Sequence, residues 1–125
     1  MMVALYEILS NIIETICPCF VDHYPTTLDK VYPYVEISFP NVTPNNSFSD
    51  NNLLEVSIWH NLDTDIRAIE TITDTIHKLL NKTHYLTSNM HVSINREIPY
   101  RVVLNDEMIG IQRRKLRYKV TIYEI

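Results

Sequence analysis

The chain has 125 residues, 46% apolar and 21% charged, with a net charge of −4 at pH 7, one glycine and two cysteines. That balance is globular and excludes disorder, and a chain of this length buries roughly two-thirds of its unfolded surface, enough for one domain without staples. Gly110 stands alone where average usage would give about nine glycines, which excludes a dinucleotide fingerprint, a phosphate-cradling Walker loop and a GxSxG nucleophile elbow.

Leu5, Ile8, Leu9, Ile12, Ile13 and Ile16 recur at three- and four-residue spacing, which predicts an amphipathic helix over 3–16, ended by Pro18. Residues 20–33 carry Pro25 and Pro33 and read as a connection. Tyr34–Phe39 alternates, with Val35, Ile37 and Phe39 on one side, and predicts a half-buried strand closed by Pro40. A second strand spans Leu53–Trp59, with Leu54, Val56 and Ile58 inward. Between them Asn41–Asn52 is polar except for Val42 and Phe48. It reads as a long loop, either idle or making contacts, and Phe48 in its polar tip favours contact. Asn41, Asn46, Phe48 and Asp50 are therefore candidate contact residues.

A second helix starts at Asn61-Leu62-Asp63, with Asp63 as N-cap and Asp65 in the first turn. Ile66, Ile69, Ile72, Ile76, Leu79 and Leu80 form its expected buried stripe. Met90, Val92 and Ile94 predict a third strand, and 99–112 holds another extended stretch followed by a turn near Asn105–Gly110. In the last strand Leu116, Tyr118, Val120 and Ile122 alternate with Arg117, Lys119, Thr121 and Tyr123. The order α-β-β-α-β-β predicts one α+β domain over 1–125. In it a mainly antiparallel sheet of four to five strands carries both helices on one face.

The charge is unevenly spread. Residues 1–75 hold Lys30 and Arg67 against eleven acidic side chains, a balance of −9, whereas 76–125 hold nine basic against four acidic, a balance of +5. Arg113, Arg114, Lys115, Arg117 and Lys119 crowd into seven positions and form a candidate basic interface, with Asp63, Asp65 and Glu70 as its candidate acidic counterpart. Such a split favours contacts between copies, and it fits equally two faces that neutralise each other within one chain. The overall acidity and the absence of a binding motif argue against specific nucleic-acid recognition.

Little points to chemistry. Of the histidines (His23, His60, His77, His84 and His91) only His77 lies on an expected helix, and no His or carboxylate stands at i ± 4 from it, so no metal or other cofactor is expected. His60 with Asp63 and Asp65 is an imaginable acid–base group, explained more simply as a strand end, an N-cap and a first-turn carboxylate. Cys17 and Cys19 bracket Pro18, too close for an unstrained ring, and are expected as reduced thiols in a cytoplasmic setting. Glu7 and Glu14 interrupt the N-terminal apolar run, which reads as neither signal peptide nor membrane span. No enzyme is expected.

Residues Leu54-Glu55-Val56-Ser57-Ile58-Trp59-His60-Asn61, leading into the Ile66–Leu80 helix, resemble the central strand–helix unit of siphophage tail terminator (tail completion) proteins. Arg113-Arg114-Lys115-Leu116-Arg117-Tyr118-Lys119-Val120-Thr121-Ile122 resembles their closing strand. The N-terminal helix, the first strand Pro33-Tyr34-Val35-Glu36-Ile37 and the polar segment after it match in order and size. Head–tail connector proteins share the same general layout. The resemblance implies a homo-oligomeric ring, a hexamer, that caps the tail tube, ends its polymerisation and offers a surface to a head-side connector protein. It places the chain in the virion at the tail–head junction, and in the host cytoplasm during assembly. DNA would pass through the ring without specific binding.

Overall fold

Two helices lie on one side of a six-stranded sheet in the computed structural model, which describes residues 2–25, 31–46, 49–61, 66–87, 90–105 and 111–124. The elements run α1 (Met2–Glu14), β1 (Cys19–Val21), β2 (Tyr34–Asn46), β3 (Ser49–His60), α2 (Arg67–Leu80), β4 (Thr83–Leu86), β5 (Met90–Asn105) and β6 (Gln112–Glu124). The strand order across the sheet is β1-β2-β3-β6-β5-β4. β1 is parallel to β2, and every other pairing is antiparallel.

The α+β reading holds, with more strand than the sequence pattern indicates. Leu5, Leu9 and Ile13 of α1 and Ile69, Ile76 and Leu80 of α2 join one core with Val35, Ile37, Leu54, Val56, Ile58, Val92, Ile94, Leu116, Tyr118, Val120 and Ile122. In α2 the stripe is narrower than its isoleucines imply, since Ile66 is 54% exposed and Leu79 also faces outward. Thr73 takes the place between Ile69 and Ile76, buried because its hydroxyl donates to the Ile69 carbonyl at 2.7 Å; a satisfied hydroxyl is tolerated on an apolar stripe. The helix starts at Arg67, with no side-chain cap at Ile66. Asp63 and Asp65 lie outside the described residues.

Three expectations need correction. Within the polar segment 41–52 the described residues 41–46 and 49–52 are strand, not loop: Asn41 to Asn46 pairs with Leu53 to Ser49, and Ser49–Leu53 pairs in turn with Tyr123–Lys119 of β6. Pro40 does not close β2. β1 covers only Val35–Ile37, so β2 beyond that point is an edge strand, and register shifts fall between Ser38 and Asn41 and between Pro44 and Asn46. Pro40 and Pro44 are tolerated at such positions, and they blunt the edge against further pairing. Finally, β5 is one long strand with an interruption. Arg96 pairs with Tyr118 and Arg101 with Leu116, so β5 takes five steps where β6 takes two. Pro99 sits in that bulge.

Glycine scarcity has a visible consequence. The left-handed positions Asp22 (φ 71°) and Lys82 (φ 61°) are filled by side-chain-bearing residues. Aspartate is among the residues that tolerate this region, whereas lysine just past α2 takes a place that glycine usually holds.

Candidate functional site

The helices cover one face of the sheet, and the other face carries most of the residues singled out in the sequence. Its composition follows from strand parity: residues that alternate with the core positions must point away from the helices. Across the middle strands this open face presents Trp59, Ser57, Glu55 and Leu53 of β3 beside Arg113, Lys115, Arg117 and Lys119 of β6.

At one end the open face is an aromatic cluster. Tyr34 stacks on Trp59 at 6.0 Å and 14° between planes. Tyr24 meets Tyr34 edge-on at 4.7 Å, and Phe20 and Tyr32 pack around them. The Arg113 guanidinium lies over the Trp59 ring at 4.4 Å. Glu36 ties the cluster together, accepting from the Trp59 indole N–H at 3.0 Å and from the Tyr24 backbone N–H at 2.6 Å. The segment read as a mere connection over 20–33 thus supplies much of a second, smaller packed layer. Tyr34 and Trp59 signal it in the sequence, since both are large aromatics on the outward parity of their strands.

The basic run of β6 divides. Arg113 is held by Trp59. Lys115 pairs with Glu55 at 2.8 Å. Arg114 shares parity with Leu116 and Tyr118, faces the helices and is 6% exposed; its guanidinium pairs with Glu70 of α2, which also takes Arg101, and Arg101 reaches Asp74. Glu70 therefore meets its cations inside the chain. These pairs join the basic C-terminal part to the acidic N-terminal part, so a good share of the charge split is neutralised intramolecularly. Arg117 and Lys119 differ: among the described residues neither has an ion pair or a side-chain hydrogen bond. They border a cleft of about 310 Å³ together with Asn41, Asn51, Leu53 and Glu97.

Of the expected contact residues, Asn41 lines this cleft, Asp50 pairs in register with Ile122 of β6, and Asn46 pairs in register with Ser49. Phe48 lies outside the described residues. Asn52, on the core side, is buried; its amide donates at 3.5 Å to the Val120 carbonyl, and among the described residues its side-chain oxygen has no partner. This buried asparagine is what breaks the apolar alternation of β3.

The titratable groups under the helices are placed for structure. His77 of α2 stacks on Tyr100 at 4.5 Å, and its Nδ1 is 2.6 Å from the Tyr118 hydroxyl. Burial, then the nearby Arg96 and Arg101 charges, hold His77 below its ordinary value, so at pH 7 it is neutral, and its tautomer sets which way the bond to the Tyr118 hydroxyl runs. Burial also raises the Tyr118 hydroxyl well above its usual range. Both cysteines are free; burial pushes the Cys17 thiol up to about 11 and the Cys19 thiol up to about 12, so both stay protonated. No helix among the described residues is long and apolar enough to cross a membrane.

No protein-family model matches the sequence, and no curated protein does. Among solved structures, a chain of the structure described as "Virion of native gene transfer agent (GTA) particle" superposes with a TM-score of 0.68 at 11% identity, over 92% of this chain and 84% of that one. The two chains share a fold. The correspondence takes in most of both chains and concerns architecture, since a fold alone does not carry a function.

Proposed function

We propose that the chain is a structural subunit of a phage or phage-like particle, specifically a tail terminator that assembles into a hexameric ring, caps the tail tube and offers its other side to a head-side connector. The observation that carries this reading is the match in fold, over 92% of the chain, to a component of a virion particle. The sequence resemblance to tail terminators supports the finer role. So does the open face, where Arg117 and Lys119 have no partner among the described residues and are available to a neighbouring subunit or to the tube. The work is done by contact and needs no reaction, metal or cofactor. DNA passes the ring without being read, in keeping with an acidic protein. Head-to-tail contacts between unlike surfaces close into a ring when the rotation permits.

A head-side connector is the second reading, favoured by the general layout that connector proteins share with terminators. Disrupting the gene in the genome that carries it separates the two. Overlong free tubes are expected for a terminator. Tails of normal length that fail to join heads indicate a connector, and ordinary infectious particles contradict both.

A further inference from the structure

Two surfaces at opposite ends of the sheet are apolar and uncovered. One is the bulge of β5. The extra residues between Arg96 and Arg101 project from the strand, and Ile98 at their crest is 95% exposed, next to an exposed Pro99. An isoleucine so placed buries almost none of its side chain in its own chain. The other is a groove of about 330 Å³ between α1 and β1, lined by Val3, Tyr6, Glu7, Ser10, Asn11 and Val21. Val3 is 71% exposed and Val21 44%. This volume lies at the low end of the range that encloses a small ligand, which is ample for a pair of apolar side chains.

We propose that the Ile98–Pro99 bulge of one copy seats in the α1–β1 groove of the next. Charge complementarity argues for a second copy as the occupant. Arg96 flanks the bulge, exposed, with its guanidinium over the Tyr100 ring at 5.3 Å. The Arg117 and Lys119 cleft adjoins it through Glu97. The groove carries Glu7, which has no partner among the described residues, and next to Val21 stands the exposed Asp22. The bulge thus carries Arg96 beside Glu97, with Arg117 and Lys119 lining the same cleft as Glu97, so its surroundings are net basic and meet an acidic-rimmed apolar slot. The strand order puts β1 first and β5 fifth, with β2, β3 and β6 between, so a chain cannot fill its own groove. The same contact repeats from copy to copy, and it is heterologous, the kind that builds rings or filaments.

The contact deepens the ring reading and names its surfaces, yet the two can fail separately. Mixing the Val3→Cys and Ile98→Cys proteins under mild oxidation should give a mixed covalent dimer, while each variant alone should not; Cys17 and Cys19 are buried and stay out of the exchange. Glu7→Arg or Arg96→Glu alone should weaken self-association by about ten-fold or more, measured by sedimentation, and the two reversals combined in one chain should restore it. Circular dichroism of each variant checks that the fold is intact. Absence of the mixed dimer at the highest soluble concentration overturns the contact, as does equal cross-linking of Val3→Cys with itself, or self-association indifferent to both reversals. Rings that persist in micrographs of Ile98→Asp remove this contact and leave the ring reading standing. Conversely, a mixed dimer from a chain whose gene is dispensable for particle assembly supports the contact and removes the particle role.

Discussion

Along β6, Arg113, Arg114 and Lys115 meet partners that the chain itself supplies, whereas Arg117 and Lys119, on the same strand and two to six residues further on, meet none among the described residues. In the first half each cation is spoken for by a different kind of contact: an indole face, a helix carboxylate, a neighbouring strand's glutamate. The second half borders an open cleft. A run of like charges is thus not one feature. Parity sends Arg114 into the helix interface; the register sets Glu55 opposite Arg117, but its carboxylate reaches diagonally to Lys115 and leaves Arg117 without an ion pair among the described residues. The first half holds the fold together, and the second has no ion pair among the described residues.

The difference can be broken from its structural side first. Glu70→Ala leaves the nearly buried Arg114 without its carboxylate, which should cost about 3 kcal/mol in urea unfolding, a large part of a small domain's stability. Trp59→Ala removes the platform under Arg113 and the indole donor to Glu36. Since Trp59 is half-buried, about 2 kcal/mol is expected. Trp59 is the sole tryptophan, so Arg113→Ala should shift its fluorescence even where stability changes little.

His77 tests the middle of the same strand through Tyr118. Its folded value lies below its unfolded one, so the unfolded chain takes up the proton first. Stability should be unaffected above about pH 7 and should fall as the pH drops below the ordinary histidine value near 6.5. His77→Gln should flatten that part of the profile, and an unchanged profile contradicts the neutral histidine. Lys115→Ala should cost no more than about 0.5 kcal/mol, because the pair with Glu55 remains partly solvated. Smallest of all, Arg117→Glu with Lys119→Glu should change stability by less than about 0.5 kcal/mol, the usual range for surface positions away from packed features.

The halves of β6 also show what the sequence could and could not convey. α1, α2 and the inner parts of β3 and β6 are legible because burial on one face imposes a period, and Leu5, Leu9, Ile13 or Leu116, Tyr118, Val120 display it. The outer part of β2 and β3 is not, because Asn41–Asn46 and Ser49–Asn52 are held by backbone pairing to each other, and the latter also to β6, with little apolar side-chain pattern to mark them, and the core-side positions Asp50 and Asn52 of β3 are polar. Pro40 misleads because proline stops a central strand, whereas here it sits on an edge. β1 is three residues long and has no period at all. At the candidate site the charges were readable and their pairing was not, since Glu70 lies 44 residues from Arg114 along the chain. Only the shared parity of Arg114 with Leu116 hints that it faces inward.

The most direct measurement is complementation of a gene disruption with the Arg117→Glu, Lys119→Glu double variant, scored by tube length in electron micrographs after its unfolding curve has been matched to the parent. The account predicts that the parent chain restores tails of uniform length joined to heads, while the equally stable variant leaves overlong free tubes. Full rescue by the variant would contradict it, and would make the outer half of β6 a solvated edge with no partner to meet.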